Sequence, residues 1–82
     1  MADDKQVTIV VEGTPHQVPK GKITYATVVH FFDPTYPQNP PDTYLVKYRR
    51  GPAHNPEGPL SLGGEVEVTE GMIFNVSKTG QS

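Results

Sequence analysis

The 82-residue chain contains no cysteine and no tryptophan. Without cysteine there is no disulfide framework, no thiolate metal site and no cysteine nucleophile. A basic excess is also missing. Seven Lys+Arg stand against nine Asp+Glu, a formal net charge of −2, which argues against a nucleic-acid binder that relies on a positive surface. The longest aliphatic run is Ile9-Val10-Val11, far short of the roughly 20 apolar residues that span a membrane. The opening MADDK is polar and partly acidic, unlike the basic start and apolar middle of a signal peptide. The expectation is a soluble, cytoplasmic domain with neither nucleic acid nor membrane as partner.

Hydrophobic residues are 34% of the chain, below the usual ~45–50%. A domain of this length buries roughly 60–65% of its unfolded surface, so its few apolar residues must be well placed. Punctuation is heavy, with 8 Gly and 9 Pro, and it falls mainly in the middle of the chain.

Residues 6–12 (QVTIVVE) are rich in β-branched side chains and read as a strand. Gly13-Thr14 is a turn signal, and residues 15–18 (PHQV) form a short return strand. Pro15 and Pro19 confine that strand to a sheet edge, because each lacks the donor that a central ladder needs. Residues 20–22 are a connector. Residues 23–32 (ITYATVVHFF) carry the helical signal, with Ile23, Thr27 and Phe31 on one stripe and Tyr25, Val29 and Phe32 on its neighbour. Asp33-Pro34 ends the helix. The proline-rich residues 33–42 form an extended connection, and residues 43–49 (TYLVKYR) a strong strand. A turn-rich stretch at 51–64 follows, with residues 59–62 as an anchor to the core. Residues 65–69 (EVEVT) and 72–76 (MIFNV) are strands around a Glu70-Gly71 turn.

The order β-β-α-β-β-β lets one helix cover one face of a sheet and leaves the other wet. A hairpin, a crossing helix and a last strand beside the first make an α+β, β-grasp (ubiquitin-like) domain. It has a mixed sheet of four to five strands and one helix packed on one face. Residues 1–5 are expected to be disordered, 6–76 to form the domain, and 77–82 (SKTGQS) to be a flexible tail.

Period-two sorting places Val7, Ile9, Val11, Val46, Met72, Phe74 and Val76 in the core with Ile23, Val28 and Phe31. Tyr44 and Tyr48 then stand at its border, rings in and hydroxyls out. The outer face receives Val10, Leu45 and Ile73 beside Lys47 and Arg49. This makes a candidate contact patch with a polar rim, although scattered apolar surface residues are ordinary. Arg50 extends the basic cluster, which is either a solvated strand end or a docking point for an acidic partner.

No catalytic constellation assembles. His16, His30 and His54 lack a metal-ligand spacing. Glu65 and Glu67 share a strand face and read as a solvated edge. Gly63-Gly64 is not followed by the Lys-Ser/Thr end of a phosphate loop.

The segments QVTIVVEG, VPKGKITY, YLVKYRRGP and EVTEGMIFNV, in this order and spacing, resemble the bacterial multiubiquitin family of prokaryotic ubiquitin-like modifiers. The resemblance covers residues 6–80. It implies a protein modifier and not an enzyme. It implies partners as well: an E1-like activating enzyme, an E2-like conjugating enzyme, a deubiquitinase-like peptidase and target proteins, in operons associated with anti-phage defence. The modifier itself takes no cofactor; ATP and Mg²⁺ serve the E1. The family's reactive terminus maps onto Gly80, which lacks a side chain and suits a closed catalytic cleft. Gln81-Ser82 follow it, so either a peptidase removes them or Ser82 is the reactive end. The competing readings are a non-conjugated β-grasp interaction module docking through Val10, Leu45 and Ile73, and a sulfur carrier, which normally ends in the Gly-Gly missing here.

Overall fold

A computed structural model of the chain describes residues 5–36 and 44–78. Its elements are β1 (Gln6–Val11), β2 (Thr14–Pro19), β3 (Lys22–Thr24), α1 (Tyr25–Phe32), β4 (Tyr44–Arg49), β5 (Gly58–Leu60), β6 (Glu65–Glu67) and β7 (Met72–Lys78). Five strands form one sheet in the order β2-β1-β7-β4-β5, and β3 and β6 form a separate ribbon. β1 and β7 are parallel, while every other pairing is antiparallel. The sheet is therefore mixed, and α1 buries Tyr25, Val28 and Val29 against it. This is the expected β-grasp architecture.

The β1–β2 turn is built on Glu12 (φ 49°) and Gly13 (φ 84°), between the closing pair Val11 and Thr14. Two consecutive positive φ values match the twist of a two-residue hairpin. The turn thus sits one residue earlier than Gly13-Thr14. β2 is an edge strand, as its prolines require.

The helix starts at Tyr25, two residues later than expected. Thr24 is its N-cap, in extended conformation (φ −98°, ψ 160°), with its hydroxyl accepting from the Thr27 N–H. Such a cap satisfies a donor that the first turn leaves unpaired. Lys22, Ile23 and Thr24 instead pair with Glu67, Val66 and Glu65. The stripe facing the core is consequently Tyr25, Val28 and Val29; Thr27 is exposed and Phe31 only half-buried. The Tyr25 N–H donates to the Gly64 carbonyl (3.1 Å) and the Gly64 N–H to Ser61 (2.8 Å), so Gly63-Gly64 belongs to a structural turn beneath the helix. A Cβ on Gly64 would come within 3.0 Å of the Ser61 oxygen.

Ile9, Val11, Ile23, Val28, Val46, Met72, Phe74 and Val76 are buried as expected, joined by Val18, Tyr36, Leu60, Val66 and Val68. Val7 and Phe31 only pack against this core. Tyr44 and Tyr48 lie inside it, not at its border. The Tyr44 hydroxyl is not turned to solvent but donates to the Asp33 carboxylate. β5 is a full member of the sheet, pairing Leu60 with Val46, where sequence reading gave only an anchored loop. β7 continues through Ser77 and Lys78, opposite Leu45 and Tyr44, so the ordered domain extends past Val76. Of the extended connection, Asp33 to Tyr36 form a turn in which the Tyr36 N–H meets the Asp33 carbonyl at 2.9 Å. Its remainder, residues 1–4 of the N-terminal segment, and the tail from 79 lie outside the described residues.

Candidate interaction face

Strand alternation turns Val10, Ile73, Asn75, Ser77, Leu45, Lys47 and Arg49 to the face opposite α1. The register then decides which of them meet. Val10 is level with Ile73 across the parallel pair, and Ile73 is level with Arg49 across the antiparallel one. With Pro15 opposite Val10, they make one row, Pro15–Val10–Ile73–Arg49. Lys47 faces Asn75 and Pro59 in the next row along β4. Leu45 faces Ser77, four residues along β7 from Ile73, or about 13 Å. The expected three-residue patch therefore separates into two sites. Val10 and Ile73 touch as a half-buried pair. Leu45, 46% exposed, stands apart from them, near the last residue of β7, Lys78.

To one side of these sites, over β4 and β5, lies a shallow, mainly apolar groove of about 460 Å³, lined among others by Lys47, Arg49, Glu57, Pro59 and Asn75. Lys47 and Arg49 are exposed. Among the described residues, the ion pair formed is Lys22 with Glu65 at 3.7 Å, on the β3–β6 ribbon and away from this face.

The face is held in shape by Glu12, which sequence reading put at the end of the first strand, and Glu70, which it put in a turn. The Glu12 carboxylate accepts from the Val76 N–H (2.8 Å) and its own N–H donates to the Phe74 carbonyl (3.0 Å). At the opposite end of the same strand pair, the Glu70 carboxylate accepts from the Thr8 N–H (3.0 Å), and the Gly71 N–H donates to the Thr8 carbonyl (2.7 Å). The sequence signal for Glu12 was available: type I′ turns favour Asn or Gly at its position, and a Glu there breaks that rule for a gain elsewhere. His30 Nδ1 lies 3.0 Å from the Tyr36 carbonyl. Among the described residues no group of three His, Asp or Glu could hold a metal ion.

A family model described as multiubiquitin matches residues 7–80. The chain belongs to that family. No curated protein and no solved structure matches it. The multiubiquitin match ends on Gly80, the residue assigned to the reactive terminus, and that residue and Ser82 lie outside the described residues. Multiubiquitin domains are ubiquitin-like, and such domains are generally modifiers without catalysis of their own. Among the described residues no helix is long and apolar enough to cross a membrane.

Proposed function

We propose that this multiubiquitin domain is a cytoplasmic protein modifier, activated at Gly80 by an E1-like enzyme and handed to an E2-like enzyme for conjugation to targets, in an anti-phage defence operon. The observation that carries this reading is the family match over residues 7–80. In the proposed chemistry the terminal carboxylate attacks the α-phosphate of Mg²⁺-bound ATP and pyrophosphate leaves. An E1 cysteine thiolate then displaces AMP to give a thioester. The E2 cysteine takes over the acyl group, and a target nucleophile finally expels that thiolate. The domain supplies the carboxylate and a surface for recognition, and a deubiquitinase-like peptidase removes Gln81-Ser82.

The test is thioester formation with the E1, with and without reductant, for the full-length, Gly80-terminated and Gly80→Val chains. The Gly80-terminated chain is expected to charge without peptidase and the full-length chain only after trimming. The Gly80→Val chain should charge poorly, because a β-branched side chain restricts the backbone that must enter the site. Equal charging of all three would move the reactive end to Ser82. The absence of any adduct would favour the second reading, a non-conjugated module, for which the exposed outer face is the supporting feature.

A further inference from the structure

A strand can join a sheet only where an edge offers main-chain donors and acceptors, and the five-stranded sheet offers few. In β1, the N–H of Glu12 and the carbonyl of Thr8 bond towards β7, so Val7, Ile9 and Val11 bond towards β2. Their partners Val18, His16 and Thr14 use their groups inward. Pro15, Gln17 and Pro19 are then the outward positions, and Gln17 alone has an N–H to offer. At the other edge the same alternation, counted from β7 through β4, leaves Pro59 as the outward residue of β5.

The β3–β6 ribbon is built differently. The Tyr25 N–H bonds to the Gly64 carbonyl and the Val68 N–H to the Gly21 carbonyl. Antiparallel bonding alternates, so Ile23 and Val66, level with each other, bond inward between these two contacts. Lys22 and Thr24 on one edge, and Glu65 and Glu67 on the other, turn their main-chain groups outward. Thr24 is the N-cap of α1 and gives its carbonyl to the first helical turn. Glu65 and Glu67 therefore form the complete edge. Both residues are exposed, and their N–H and carbonyl groups have no hydrogen-bond partner among the described residues.

We propose that this edge of β6 receives an extended segment of a partner protein with the pattern basic, β-branched, basic. Strand residues set opposite Glu65 and Glu67 bond to them through the main chain and share their wet face. Glu67 is in no ion pair among the described residues, and Glu65 meets Lys22 at 3.7 Å with both side chains more than half exposed. Cations directly across from these carboxylates are matched in sign. The residue between them lies beside Val66, which faces the core at 8% exposure, so a β-branched side chain there continues the apolar side of the ribbon. The same charges reject the β6 edge of a second copy, which would set glutamate opposite glutamate. The site lies on the ribbon and not on the five-stranded sheet, and it does not depend on conjugation.

The experiment titrates a capped Thr-Lys-Val-Arg-Thr peptide into the full chain and follows amide chemical shifts. Saturable binding is expected, with shifts centred on Glu65, Val66 and Glu67 and slowed exchange of the Glu65 and Glu67 N–H groups. N-methylation of the peptide's Lys and Arg, which face the edge, should weaken binding at least about tenfold, whereas N-methylation of its Val, whose N–H points away, should change binding by less than about twofold. The Glu65→Gln/Glu67→Gln chain should bind at least about fivefold more weakly. No binding, equal binding by the peptide methylated at Lys and Arg, equal binding by the Gln chain, or shifts centred on Thr14–Pro19 or Gly58–Leu60 would each overturn the proposal. Concentration-dependent self-association of the chain through the same amides would give the edge to a second copy and overturn it as well. The assay contains no E1, so its failure leaves the modifier reading untouched.

Discussion

At Tyr44 the main chain of β4 has β7 on one side only, because β5 on the other reaches no further than Leu60, opposite Val46. The Tyr25 hydroxyl takes the place of that strand. It donates to the Tyr44 carbonyl (2.8 Å) and accepts from the Tyr44 N–H (3.1 Å) in a buried setting. Tyr25→Phe keeps the ring and its edge contact with Tyr36 but removes the hydroxyl that bonds both groups. Each such buried group costs about 1–3 kcal/mol, so a loss of about 2–4 kcal/mol in denaturant unfolding is expected. A loss below about 0.5 kcal/mol would show that water or a shifted backbone replaces the hydroxyl. Helical periodicity placed Tyr25 on a stripe beside the core, and its hydroxyl's role was illegible for a plain reason. The partner lies 19 residues away, and periodicity reports which way a side chain points, not which main-chain group runs out of neighbours. His16 makes the same point from the other side. Its ring stacks on Phe31 at 4.2 Å, and Nε2 is buried without a hydrogen-bond partner, a contact that no local pattern announces.

Long strands and short ones differed in how much of them could be read. β1, β4 and β7 alternate over six or seven residues, long enough for the period of two to sort faces. β3 and β5 have three residues each, too few for any period; β6 is as short but was legible because the alternation runs on through Val68. Their pairing is decided by what the helix and the long strands leave uncovered. For that reason residues 22–24 read as connector and helix, and 58–60 as loop. The parallel β1–β7 pair is itself short, with Ile9, Val10 and Val11 matched to Met72, Ile73 and Phe74. Its ends are extended by carboxylates, Glu70 on Thr8 and Glu12 on Val76. A charge-assisted bond of this kind is worth about 1.5–3 kcal/mol when well shielded; Glu12 is exposed, so Glu12→Ala should cost about 1–2 kcal/mol. Glu12→Gln, which keeps an acceptor, should cost less. Amide hydrogen exchange locates the effect: the Val76 N–H should lose protection in Glu12→Ala while Ile9 and Val11 keep theirs. Uniform loss across β1 would mean that the substitution acts through the turn and not through the latch.

For the molecule as a whole, the inward face was legible because six of the expected core residues, Ile9, Val11, Val46, Met72, Phe74 and Val76, follow simple alternation, whereas the outer face was legible by residue but not by distance. Alternation does put Val10, Leu45 and Ile73 on one side; only the register, with Leu45 opposite Ser77 and Ile73 opposite Arg49, reveals that they are not one patch. That separation divides their functions in the modifier reading. An enzyme that draws the chain's end into its active site must cover the sheet where β7 leaves it, and Leu45 is the exposed apolar residue there. The Val10–Ile73 pair lies about 13 Å back along the strands. Leu45→Asp should therefore reduce E1 thioester formation at least about tenfold, because the new carboxylate is solvated in the free chain but buried without a partner in the complex. Ile73→Asp, whose carboxylate faces Arg49 across the β4–β7 pair and can be compensated by it, should charge at a near-normal rate. Unfolding curves for both chains establish that each is folded before rates are compared. If Ile73→Asp fails to charge and Leu45→Asp charges normally, the enzyme grips the far row of the sheet, and the end of β7 must reach its site without support from Leu45.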